Sequence, residues 1–94
     1  MERKGAITEI RDFPIPRQAN GMLGESFRVA MPPYSQILSA KIVQGEPVLS
    51  AEVDPQATAV DHVFFLRRNG DPKSEGMVYC ASFVWGPYAW HIYR

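Results

Sequence analysis

Apolar and polar side chains alternate along most of this chain with a period of two, the pattern of strands that bury one face. It is clearest in residues 36–55, QILSAKIVQGEPVLSAEVDP. Leu38, Ala40 and Ile42 oppose Ser39 and Lys41, then Leu49, Ala51 and Val53 oppose Ser50 and Glu52. Gln44-Gly45-Glu46-Pro47 between them carries turn residues. The pattern predicts a hairpin of residues 37–43 and 48–53, with Val43 opposite Val48. All six of those apolar side chains are then buried on one face, and Lys41 lies diagonal to Glu52.

The same reading extends along the chain. Met1–Gly5 is expected to be a frayed start. Ala6–Ile15 predicts a first strand, confined to a sheet edge by Pro14 and Pro16. Arg17–Gly24 is a loop, and Ser26–Met31 a second strand stopped by Pro32-Pro33. Val60–Arg68 is the most apolar strand. Val63-Phe64-Phe65-Leu66 is apolar on both faces and needs cover on both, from a second sheet, a closed barrel or a partner subunit. Asn69-Gly70-Asp71-Pro72 is a turn. Met77–Trp85 and Tyr88–Arg94 predict a closing hairpin with Val84 opposite Ala89 and Ser82 opposite His91. Tyr79 and Arg94 then share the face of Phe83 and Trp90. No segment has helical periodicity. The expectation is one all-β domain over residues 1–94, a small antiparallel sandwich or barrel of six to seven strands built from hairpins.

Composition narrows the function. The 94 residues carry ten basic and ten acidic side chains, a net charge of zero, which argues against binding a nucleic acid duplex. The charge is uneven. Residues 35–61 carry Lys41 against Glu46, Glu52, Asp54 and Asp61, whereas residues 62–94 carry Arg67, Arg68, Lys73 and Arg94 against Asp71 and Glu75. Cys80 is the only cysteine, which suits a reducing cytoplasm. No apolar run approaches a membrane span, and no signal peptide is expected.

Several short features form a series: Ile10-Arg11-Asp12-Phe13-Pro14-Ile15, Met31-Pro32, Ile37-Leu38-Ser39, Gly45 through Pro55, Gly70-Asp71-Pro72, and the ending Ala89-Trp90-His91-Ile92-Tyr93. In order and spacing the series resembles a family of short, functionally uncharacterised proteins common in tailed-phage genomes and prophages, over roughly residues 7–93. The resemblance implies a phage origin and little else, and brings no activity or catalytic residue; the expected location is the host cytoplasm. The chain departs from the family after Asn69, where a Gly-x-Gly-His-Pro run is frequent, so no role for that histidine carries over.

Candidate chemistry is sparse. Cys80, Ser82 and His91 share a strand face, and a nucleophile beside a base is the minimum for covalent catalysis. Yet no local residue orients His91, and a serine facing a histidine across strands is ordinarily a surface pair. His62, His91, Cys80 and Asp61 lack zinc-ligand spacing. Asp54-Pro55 and Asp71-Pro72 are turn chemistry. No enzyme, metal or cofactor is expected.

The aromatic cluster Tyr79, Phe83, Trp85, Tyr88, Trp90 and Tyr93 is core material first, but Trp85 and Tyr88 flank a turn and should be partly exposed. The expected binding surface is Arg67, Arg68, Trp85, Tyr88, His91 and Arg94, with rings to stack on a base and guanidinium groups to meet an anion. The function expected is a non-enzymatic phage binding protein. It would sequester a small nucleotide-derived immune signal as a homo-oligomer, a dimer or larger. The alternatives are an inhibitor covering a host defence or regulatory protein, and a minor structural phage protein.

Overall fold

The computed structural model describes residues 7–94, in seven strands and no helix. The polar start Met1–Gly5, and Ala6, lie outside the described residues. The strands are β1 (Glu9–Pro14), β2 (Ser26–Met31), β3 (Gln36–Val43), β4 (Glu46–Val53), β5 (Val60–Arg68), β6 (Tyr79–Trp85) and β7 (Tyr88–Tyr93). All pairings are antiparallel. They build a three-stranded sheet, β1-β4-β3, and a four-stranded sheet, β2-β5-β7-β6. The result is a sandwich-like all-β fold, with the edge strands β3 and β6 running together on one side.

Alternation decides the core. β2 turns Phe27, Val29 and Met31 inward, β5 Phe64 and Leu66, and the closing hairpin Ala81, Phe83, Trp90 and Ile92. They meet Leu49, Ala51 and Val53 of β4. Phe64, Met31, Leu49 and Ile92 are fully buried, and Phe27 and Phe64 stack at 5.3 Å. β1 is an edge strand, as its prolines require. It is shorter than the alternation predicts, because Ile7 and Thr8 lie outside the ladder.

The β3–β4 hairpin departs from the predicted register. Val43 pairs with Glu46, so the turn is the two residues Gln44 and Gly45, with φ of 51° and 80°. Two positive φ values give a turn whose twist matches that of the strands it joins. Pro47 therefore belongs to the strand, fully buried opposite Ile42, and its carbonyl accepts a hydrogen bond from Ile15 N at 3.0 Å. Lys41 faces Asp12 at 3.4 Å rather than Glu52, and Glu52 accepts from the Thr8 hydroxyl. Asp12 also accepts from Ser50 Oγ at 2.6 Å. That hydrogen bond holds the Asp12 pKa below the usual carboxylate range, desolvation opposing and the Lys41 charge assisting.

A second departure is a pair of β-bulges. Ile37 pairs with Ala51 and Ser39 with Ser50, so Leu38 is an extra residue. The bulge turns Ile37 toward the core and leaves Leu38 42% exposed, where strict alternation predicts Leu38 buried. Ile42, beside the turn, is also exposed. Cys80 is the extra residue in β6, which moves Tyr79 to the outer face beside Tyr93. Both bulges lie on the edge strands that meet. The outer face of β5 is covered only in part: Phe65 is half-buried with Arg67 over its ring at 6.0 Å, and Val63 is exposed.

Candidate functional site

β5 has nine residues and its neighbour β2 has six. The ladder between them ends with Ser26 opposite Phe65 and a hydrogen bond from Leu66 N to Glu25 O at 2.8 Å. Beyond that point Arg67 and Arg68 have no β2 partner. A groove of ≈520 Å³ opens there, between the 18–25 loop and the 71–74 turn, over Leu66 and Trp90. Arg67, Arg68 and Lys73 line it against Glu25 and Asp71, three cations against two carboxylates.

Arg68 and Tyr88 are the centre of the groove. The Arg68 guanidinium sits 4.6 Å from the Tyr88 ring centroid and 5.9 Å from that of Trp90. Tyr88 meets Trp90 edge to face at 6.0 Å and is 41% exposed. Asp71 holds the turn, accepting from Arg68 N at 2.8 Å, and its second contact, to Arg68 Nε at 3.8 Å, leaves the guanidinium open to another acceptor. Arg67 lines the same groove but is occupied. It donates to the carbonyls of Pro72 at 3.1 Å, Glu25 at 3.2 Å and Leu66 at 2.8 Å, and so fastens both walls to β5.

The other three predicted site residues lie elsewhere. Trp85 joins the sheets: its indole Nε1 donates to Gly45 O at 3.0 Å, and Arg17, paired with Glu46, lies 5.7 Å from its ring. Arg94, just past the end of β7, is four residues beyond Trp90, the partner of Arg68, ~13 Å at ordinary strand rise. It packs over Phe64 at 5.4 Å and donates to His62 Nδ1 at 3.3 Å and to Ser35 O.

His91 is on the outer face of the second sheet in a hydrogen-bonded row. Ser82 Oγ is 2.7 Å from Nδ1, and Asn69 Oδ1 is 2.7 Å from Nε2. The Tyr79 hydroxyl lies 2.7 Å from Ser82 Oγ. The orienting partner absent from the local sequence is thus Asn69, brought 22 residues through the chain by the turn after β5. An amide acceptor requires the Nε2–H tautomer, which leaves Nδ1 to accept from serine. Asparagine orients the ring without the negative charge that stabilises an imidazolium in a catalytic triad. The row is exposed on a strand surface, whose ordinary role is to tie strands and turn together. Cys80 is not part of it. Burial pushes its thiol pKa above the ordinary range, with the Arg94 charge opposing. Among the described residues no cluster of three or more His, Cys, Asp or Glu could hold a metal ion. No helix among them is long and apolar enough to cross a membrane.

Sequence reasoning missed Lys73 and the 18–25 loop. The loop supplies one wall through Met22, Leu23 and Gly24, residues that look in sequence like an ordinary connector. Neither a curated protein nor a solved structure matches the chain. A family model described as a domain of unknown function, DUF7352, matches residues 17–94, which takes in both the groove and the His91 row, and the chain belongs to that family.

Proposed function

We propose that this chain is a phage-encoded, non-enzymatic binding protein whose groove takes a small anionic ligand carrying a planar ring, of the nucleotide class. In this reading it acts in the infected cell by sequestering a nucleotide-derived immune signal. The observation that carries the reading is Arg68 stacked over Tyr88 at 4.6 Å in a groove that also holds Trp90 and Lys73. An exposed ring offers a face worth roughly 1–3 kcal/mol when a base stacks on it. A guanidinium held against that ring stays available to a phosphate. Lys73 lines the same groove with its ammonium over the Tyr93 ring at 5.9 Å, a second positive charge in the groove wall.

The test is titration calorimetry with adenosine triphosphate, a cyclic dinucleotide, adenosine (ring without anion) and ribose 5-phosphate (anion without ring). Binding of a nucleotide that exceeds both fragments, and is lost in Arg68→Ala and Tyr88→Ala with unchanged melting temperatures, supports the reading. A folded protein with no heat from any of the four probes overturns it. A ligand that binds equally well to Arg68→Ala would also overturn it.

A further inference from the structure

Four strands lie at sheet edges: β1 and β3 in one sheet, β2 and β6 in the other. An edge presents unpaired N–H and C=O groups to any other strand, and folded proteins block it with proline, bulges, charge or cover. β1 ends on Pro14 and carries Glu9, Arg11 and Asp12. β3 and β6 are bulged and run against each other. β2 has only one of these devices, a single charge. It is regular over six residues, holds no proline, and has Arg28 as its one charged residue.

The direction of its backbone groups follows from the ladder. Leu66 N donates to Glu25 O, and bonded and unbonded pairs alternate between antiparallel strands. Phe27, Val29 and Met31 therefore bond to β5, and Ser26, Arg28 and Ala30 aim their N–H and C=O groups away from it. Among the described residues no backbone hydrogen bond from outside the sheet reaches those groups.

We propose that a second copy of this chain pairs at this edge, β2 against β2 and antiparallel about a two-fold axis, joining the two four-stranded sheets into one. Charge selects the register. Centring on Arg28 would set Arg28 opposite its own copy, which is repulsive. Centring on Val29 sets Arg28 opposite Ala30 of the second copy, in both directions, and their N–H and C=O groups are the outward ones. Ala30 pairs with Asp61 on β5. Arg28 then lies in one row with Asp61 of the second copy, across a small alanine. Their backbones are two strand spacings apart, ~9.6 Å, a span that an arginine and an aspartate side chain bridge together. Among the described residues neither Arg28 nor Asp61 has a hydrogen bond or ion pair of its own side chain within the chain. An isologous contact of this kind closes at the dimer.

Sedimentation equilibrium on the full chain and on four variants tests the proposal. The wild type should show twice the 10.6 kDa chain mass. Arg28→Pro removes an outward N–H and no bond to β5, so it should be monomeric with an unchanged circular dichroism spectrum. Arg28→Asp and Asp61→Arg should each weaken the dimer by about tenfold or more, and the double exchange Arg28→Asp/Asp61→Arg should restore it. A monomeric wild type at high micromolar concentration overturns the proposal, as does a dimer that persists in folded Arg28→Pro. Should Arg28→Pro fail to fold, the charge exchange decides: no restoration in the double variant refutes the register. Ligand binding enters none of these measurements, so the outcome is independent of the groove.

Discussion

Leu49 and Leu38 are one hairpin apart and look alike in sequence, yet the β3 bulge gives them opposite surroundings. Leu49 is fully buried between the sheets, and Leu38 is 42% exposed. Leu49→Ala deletes three buried carbons, a transfer loss of about 2.4 kcal/mol at ~0.8 kcal/mol per methylene. A core framed by two hydrogen-bonded sheets collapses little around the void, so a cavity contribution of about 1 kcal/mol or more is added. The expected loss is about 3–4 kcal/mol, which for a domain of this size lowers the melting temperature by roughly 12–30 °C. Leu38→Ala loses the same atoms from a half-covered position that water fills, about 1 kcal/mol and roughly 4–8 °C. Urea unfolding followed by tryptophan fluorescence, with calorimetric melting of the same samples, measures both. Equal losses at the two positions would refute the bulge and restore strict alternation through β3. A loss at Leu49 no larger than 1 kcal/mol would refute the placement of β4 at the centre of the core.

Two further predictions follow from the backbone and from Cys80. Gln44 holds a φ of 51°, a conformation that costs most L residues about 1 kcal/mol and asparagine less, so Gln44→Asn should raise stability by roughly 0.5–1 kcal/mol in the same urea titration; destabilisation would show that the Gln44 side chain serves a purpose beyond the turn. The Cys80 thiol is half-buried with its pKa raised, so its reactive thiolate is scarce at pH 8. Iodoacetamide labelling followed by mass spectrometry should be slow in the native protein and fast in urea, and the native rate should keep climbing with pH beyond the point where the unfolded rate levels off; equal native and unfolded rates at pH 8 would contradict the burial.

The strands were legible because alternation reports which face is wet, most plainly in β2, where buried and exposed residues alternate throughout. β2 and β5 match the pattern end to end, and the Val84–Ala89 pairing follows from the closing turn alone. What alternation cannot carry is an inserted residue. Leu38 and Cys80 each keep the look of a regular position, while the bulge reverses the face of everything before it. The turn at Gln44-Gly45 was obscured by Pro47, a residue that reads as a turn former and here opens a strand. For the site, sequence could bring Tyr88 near the arginines at the end of β5. It could not separate Arg68, whose guanidinium stays open, from Arg67, whose three carbonyl acceptors come from three different segments. Nor could it place Arg94, which lies one residue past the end of β7, far from Tyr88 at the start of that strand.

The groove and the free edge have a common origin in the brevity of β2. A strand of six residues beside one of nine leaves the end of β5 paired to β7 but without a neighbour on the β2 side, and that open side is where Arg68 and Tyr88 meet. The same strand is the outermost of its sheet and carries neither proline nor bulge, only the single charge of Arg28. Lengthening β2 at its start would extend the ladder over Arg67 and Arg68 and close the groove, and a proline at position 28 would protect the edge. The proline leaves Phe27, Val29 and Met31 in their inward positions, whereas the extension would also displace Leu23, a core residue of the 18–25 loop. The fold alone therefore does not demand an edge strand without proline. An open groove beside an accessible edge is what the two proposals, a ligand in the groove and a second copy at the edge, each ask of that strand.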